Sequence, residues 1–178
     1  MANETLLSPE YQAEQERMHR DIPDYGVECL NYVGLIARII DANQIDTVLD
    51  YGSGKGRLVE PLAETVERDF SICLYDPGIP EIAAPPEPAQ LVTCIDVLEH
   101  VEPQYTISVL HDLARVTEQL CFITIGLTPA SKTLSDGRNA HINLRPARDW
   151  LKMLLDHFDL LHAFDKGRSL IFCGRARR

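Results

Sequence analysis

The sequence predicts an α/β fold, one doubly wound sheet that is mostly parallel and ends antiparallel, on three observations. Short apolar runs ("TVLD", "SICLYD", "LVTCI", "QLCFITIG") alternate with segments of helical period, the rhythm of a parallel sheet covered on both faces. The C-terminal runs "DLLHAF" and "SLIFCGRA" flank "DKGR", a hairpin signature. Between Asp76 and Leu91 the stretch "PGIPEIAAPPEPAQ" packs five prolines into fourteen residues, which admits neither a regular helix nor a central strand.

Residues 9–20, "PEYQAEQERMHR", form a polar helix with few apolar anchors, and "DIPDYG" turns the chain. From Glu28 to Asn43, Leu30, Val33, Ala37 and Ile40 recur at helical spacing, and Ile36 and Ile39 widen the stripe. "TVLD" is a short buried strand that ends at a glycine turn. "GRLVEPLAETVERD" is a helix that tolerates Pro61 because it lies near the start. "SICLYDP" is the next strand, and Leu91 to Ile95 the one after the prolines. Pro103 opens a helix carrying Ile107, Leu110, Leu113 and Val116. "QLCFITIG" is a strand, a long loop spans 128–146, and a helix from Pro146 bears Trp150, Leu151, Leu154 and Leu155. No repeat and no second composition zone divides the chain. Residues 1–178 therefore read as one domain, with 1–27 an N-terminal lid or helix segment.

A chain of 178 residues buries a sizeable core without staples. Its formal net charge of −10 disfavours a phosphate-tracking surface, so no nucleic-acid partner is expected. The five cysteines never stand at CxxC spacing, so they read as small buried hydrophobes and not as a metal site or redox pair. No run approaches the ~18 apolar residues of a membrane span, and "MANETLLSPEYQ" lacks secretory character. A cytoplasmic protein without membrane contact is the expectation.

The stretch "VLDYGSGKG" carries the chemistry. It is not a phosphate loop, because no glycine lies five residues before Gly54 and no Ser or Thr follows Lys55. It is not a dinucleotide fingerprint, because Arg57 stands where the third glycine belongs. Its glycines instead fall at alternate positions after Asp50. A carboxylate there repels a pyrophosphate but welcomes an ammonium, while backbone amides at the start of the next helix suit a carboxylate. An amino acid attached to a nucleoside satisfies both.

With "LYDP" and "LVTCIDVLEHVEP", this stretch resembles the class I S-adenosylmethionine-dependent methyltransferases, and "AHINLRPARDWLKMLLDHFDLL" extends the likeness over residues 45–178. The resemblance implies a Rossmann-like sheet and S-adenosylmethionine as cofactor. It implies that Asp50, Gly52, Ser53, Gly54 and Gly56 line the methionine half, that Asp76 takes the ribose hydroxyls, and that Pro77 and Ile79 lie against the adenine. Asp96, in "DVLEHV", joins them. Measured against the family, the prolines leave no room for the usual third strand and its preceding helix. The strand "SICLYD" then lies on an open edge, where two copies can pair.

Transfer to oxygen needs a base, and His141 and His100 are the candidates at the carboxyl edge of the strands. The loop over 128–146 is longer than a connector requires, and its cations can receive an anionic group. Arg138, Asn139 and, from the N-terminal segment, Tyr25 are the substrate-binding candidates. The expected function is methyl transfer to a small polar acceptor at oxygen. A non-catalytic S-adenosylmethionine-binding module is the alternative, and Arg57 and Asp50 oppose a nicotinamide enzyme.

Overall fold

The computed structural model describes residues 5–23 and 26–177 and is built on one six-stranded sheet. Its helices are α1 (Pro9–Asp21), α2 (Val33–Asn43), α3 (Val59–Thr65), α4 (Thr106–Val116) and α5 (Ala147–His157). Its strands are β1 (Thr47–Tyr51), β2 (Ser71–Tyr75), β3 (Ala89–Ile95), β4 (Thr117–Gly126), β5 (Phe158–Asp165) and β6 (Ser169–Ala176). They lie in the order β2-β1-β3-β4-β6-β5. The first four pair in parallel, whereas β6 runs antiparallel between β4 and β5.

Neighbouring residues on the central strands serve opposite cores, as a sheet covered on both faces requires. Val48 and Leu91 pack with Ile36, Ile40 and Leu62 under α2 and α3. Leu49 and Val92 pack with Leu110, Leu113, Trp150 and Leu154 under α4 and α5. The C-terminal strands close as the expected hairpin.

The proline segment behaves as its composition requires. After β2 the chain makes one short 3-10 turn, Pro80–Ile82, and the next strand enters the sheet beyond β1. The third strand and its helix are absent, and β2 is an edge.

Two helices are shorter than their periodicity implied. The expected helix from Glu28 begins as a 3-10 turn, Glu28–Tyr32, whose tighter winding leaves Leu30 exposed. The expected helix over 56–69 is regular only from Val59 to Thr65, where the Thr65 hydroxyl turns back to the Pro61 carbonyl at 2.7 Å. One cysteine also departs from expectation: Cys73 is exposed on β2, although Cys94 and Cys121 are buried.

Candidate active site

Parallel register sets Asp50 beside Leu74 and Tyr51 beside Tyr75, so β1 and β2 deliver Asp50 and Asp76 to one edge of the sheet. The glycine turn folds back over that edge. Gly52 and Ser53 both donate to the Tyr75 carbonyl, at 2.7 and 3.1 Å. Gly52 has a φ of 75°, and a Cβ there would collide with both methyls of Val97. Only glycine satisfies that backbone and that space. Asp76 then joins two turns: Oδ2 accepts the Gly54 N–H and Oδ1 the Gly78 N–H, each at 2.9 Å. Because α3 starts only at Val59, it is the turn and not a helix end that faces the space above.

That space is a cavity of about 530 Å³. On its near wall Asp50 is buried and accepts a hydrogen bond from Thr93 Oγ1 at 2.9 Å. Burial pushes its carboxyl up to about 7 against the pull of that hydrogen bond, and the charge of Asp76 adds to the rise. Asp96, at the end of β3, holds a φ of 53°, an uncommon conformation for a residue with a side chain. Thr124 over-determines it, accepting the Asp96 N–H through its carbonyl at 3.0 Å and donating its hydroxyl to Oδ1 at 2.6 Å. Burial raises the Asp96 carboxyl above its ordinary range.

The far wall carries both histidines, with ring centroids 4.8 Å apart and edge to face. His141 Nδ1 lies 2.6 Å from the Thr128 carbonyl, which can only accept, so in the neutral ring the proton sits on Nδ1 and the lone pair on Nε2. His100 Nδ1 bonds in the same way to the Ala140 carbonyl at 2.9 Å. Burial, then the neighbouring His141 ring, pulls His100 down to about 3, so it is a neutral positioning group. Between the walls, Glu99 is fully buried and its Oε1 accepts the Gly126 N–H. Burial, helped by Asp96, lifts its carboxyl to about 8.

Among the sequence-predicted residues, Asp50, Gly52, Ser53, Gly54, Asp76 and Pro77 line this cavity on one side. Asp96, His100 and His141 line it on the other. Gly56 does not, since it turns toward Leu74, and Ile79 lies in the proline turn off the wall. Arg138 is exposed and held by Asp136 at 2.7 Å. Asn139 clamps the loop, accepting from the N–H groups of Ala130 and His141 at 2.9 and 3.0 Å. It thereby positions His141 and does not reach the cavity. Tyr25 lies outside the described residues.

Glu99 and His19 also line the cavity, beyond the residues predicted for it. Glu99 belongs to the "DVLEHV" run but carries no periodic signal of its own. His19 belongs to the segment expected as an N-terminal lid or helix, and its Cε1 comes within 2.8 Å of where a Cβ on Gly54 would stand. Lys55 and Arg57 hold the end of α1 by donating to the carbonyls of Ile22 and Pro23. The other end of α1 meets the long loop, where Glu14 accepts the N–H and hydroxyl of Ser135, both at 2.7 Å. Tyr11 and Met18 share a small core with Leu134 and Ala140. Helix and loop thus form one cap.

The comparisons agree with this architecture. Among solved structures, the 1,6-didemethyltoxoflavin-N1-methyltransferase of Burkholderia thailandensis, with 1,6-didemethyltoxoflavin and S-adenosylhomocysteine bound, has a TM-score of 0.70 at 15% identity, over 99% of this chain and 94% of that one. The N-methyltransferase NodS of Bradyrhizobium japonicum WM9 has a TM-score of 0.65 at 11% identity, over 94% of this chain and 99% of that one. The mitomycin 7-O-methyltransferase MmcR has 0.67 at 13%, over 92% of this chain but 61% of its own, so the chain spans about three fifths of that enzyme. Likeness at such identity speaks to the fold. No protein of curated function matches the sequence. A family model described as a methyltransferase domain matches residues 28–162, from the turn before α2 into β5, and the chain belongs to that methyltransferase family.

Proposed function

We propose that the protein transfers the methyl group of S-adenosylmethionine to an oxygen of a small polar acceptor. The observation that carries this reading is that one cavity joins the glycine turn and Asp76 on one side to His141 Nε2 on the other. The residues present fit the cofactor. A Cβ at Gly54 would fill the cradle, and buried Asp50, lifted to about 7, regains its charge beside an ammonium. Asp50, Gly52, Ser53 and Gly54 would hold the methionine half, and Asp76 the ribose hydroxyls. When bound, S-adenosylmethionine supplies an electrophilic methyl group and departs as the neutral thioether.

His141 Nε2 takes the proton of the acceptor hydroxyl, whose freed electron pair makes the new bond to carbon. The Thr128 carbonyl fixes the tautomer, Asn139 holds the His141 backbone, and His100 packs against the ring. A cavity of about 530 Å³ has the size of a single drug-sized site, so a cofactor leaves room for a small molecule and not for a polymer. All five cysteines are free, as in a cytoplasmic setting. Among the described residues no helix is long and apolar enough to cross a membrane.

The test is calorimetric titration with S-adenosylmethionine, S-adenosylhomocysteine and NAD, followed by mass analysis of small alcohols, phenols and amines incubated with enzyme and S-adenosylmethionine. Binding of both adenosyl compounds and methylation of hydroxyl compounds is expected. Binding of NAD alone, or methylation confined to amines, would overturn the proposal.

A further inference from the structure

Glu99 borders the cavity yet is wholly buried, and nothing in the mechanism above uses it. One of its oxygens, Oε1, accepts the Gly126 N–H, while Oε2 has no hydrogen-bond partner. The charge that acts on it is the negative one of Asp96, three positions earlier. A buried carboxylate beside another carboxylate is costly, and the protonated form removes that cost while creating an O–H donor. A buried donor left without an acceptor is costly in turn, so the functional state has to supply one.

Position 126 is where Glu99 and His141 come together. A Cβ there would meet Glu99 Oε1 at 2.6 Å and His141 Cε1 at 2.8 Å, so the missing side chain is what lets the two groups converge. A ligand in the cavity that reaches both groups meets an acceptor, His141 Nε2, and a donor, the Glu99 carboxyl.

We propose that Glu99, as a neutral carboxylic acid, donates a hydrogen bond to the methyl acceptor, and that the acceptor carries a second oxygen on the carbon next to its reacting hydroxyl. The inference rests on the methyl-transfer reading. The hydroxyl proton goes to His141 Nε2, while the neighbouring oxygen offers a lone pair to Glu99. The acceptor class is therefore a vicinal hydroxy-carbonyl or diol, and an isolated alcohol fits poorly because it leaves the carboxyl unpaired.

The experiment is titration of the S-adenosylhomocysteine-loaded protein with catechol and with its isomer hydroquinone, for wild type, Glu99→Gln and Glu99→Leu. One hydrogen bond predicts about tenfold tighter binding of catechol by wild type. Glu99→Gln, whose amide still accepts from Gly126 and donates onward, should keep that preference, and Glu99→Leu should lose it. An infrared carbonyl band of a protonated carboxylic acid at neutral pH, present in wild type and absent in Glu99→Gln, reads the same donor without ligand and serves if Glu99→Leu does not fold. Equal affinities in wild type, binding of neither phenol, loss of preference in Glu99→Gln, or absence of the band would each overturn the proposal. Failure of S-adenosylhomocysteine to bind wild type would overturn the methyl-transfer reading itself, and this one with it.

Discussion

His19 Nε2 stands 3.8 Å from Asp76 Oδ2, so the N-terminal helix reaches the carboxylate that closes β2. Burial holds the imidazole below its ordinary pKa despite the pull of Asp76, so the contact is between a neutral ring and an acid. A ligand that uses Asp76 has to displace or share His19. His19→Ala is expected to speed S-adenosylhomocysteine association about two- to fivefold, the equivalent of losing one polar contact of about 0.5–1 kcal/mol. Stopped-flow traces unchanged from wild type would show that α1 does not gate the site.

Asp76→Ala is expected to weaken S-adenosylhomocysteine binding by about 1–3 kcal/mol through lost charge-assisted hydrogen bonds. The same change frees the N–H groups of Gly54 and Gly78, so the melting temperature should fall as well. An unaltered dissociation constant by calorimetry would remove Asp76 from the binding site.

Gly52→Val forces a branched side chain into positive φ and against Val97. Overpacking and the left-handed backbone together should cost about 2–5 kcal/mol of stability and abolish cofactor binding. Denaturant unfolding with a midpoint equal to wild type would contradict the geometry of the turn.

The pH profile of stability follows from two buried groups of opposite sign. His100 is depressed from 6.5 to about 3, so its contribution is fully present above 6.5 and is lost as the pH falls toward 3. Glu99 is raised from 4.5 to about 8, so its contribution is present below 4.5 and is lost as the pH rises toward 8. Each group contributes a slope of up to roughly 1.4 kcal/mol per pH unit within its window. His100→Gln should flatten the acid limb of the melting profile and Glu99→Gln the neutral-to-basic limb. Parallel profiles for wild type and both variants would refute the assignments.

The open edge of β2 is centred on Cys73, the middle residue of Ser71–Tyr75. Antiparallel pairing of two copies about that residue would bring the two thiols opposite each other at bonding reach. Mild oxidation is expected to yield a disulfide-linked dimer in wild type and none in Cys73→Ser. Sedimentation as a monomer at high concentration, with no cross-link, would exclude this pairing.

What the sequence made legible depends on how local each constraint is. Proline bars helix and inner strand wherever it stands, so the missing third strand could be read from Pro77 to Gln90 without any partner. The turn at Gly52 was equally readable, since alternate glycines after a buried strand demand an unusual backbone. His19 was legible only as part of a lid or helix segment, because its place is set by Lys55 and Arg57 gripping the end of α1, contacts more than thirty positions apart in sequence. Charge content misled in the loop: Arg138 and Asn139 are polar enough to bind a ligand, but Asp136 and the Ala130 and His141 amides engage them first. Composition counts donors and acceptors. It does not say which of them are already spent.

The pairing of Glu14 with Ser135 spans 121 positions, which sets the order in which the site can close during synthesis. At about 5–20 residues per second, roughly 6–24 s separate the emergence of the two residues. Throughout that interval the helix over Pro9–Asp21 lacks its partner in the long loop. A helix that must wait in water gains by being polar, and "PEYQAEQERMHR", with only Tyr11 and Met18 buried in the end, is such a helix. The cap therefore cannot settle until the long loop has been made, and its sparse apolar anchoring keeps the waiting segment from sticking to its neighbours on the ribosome.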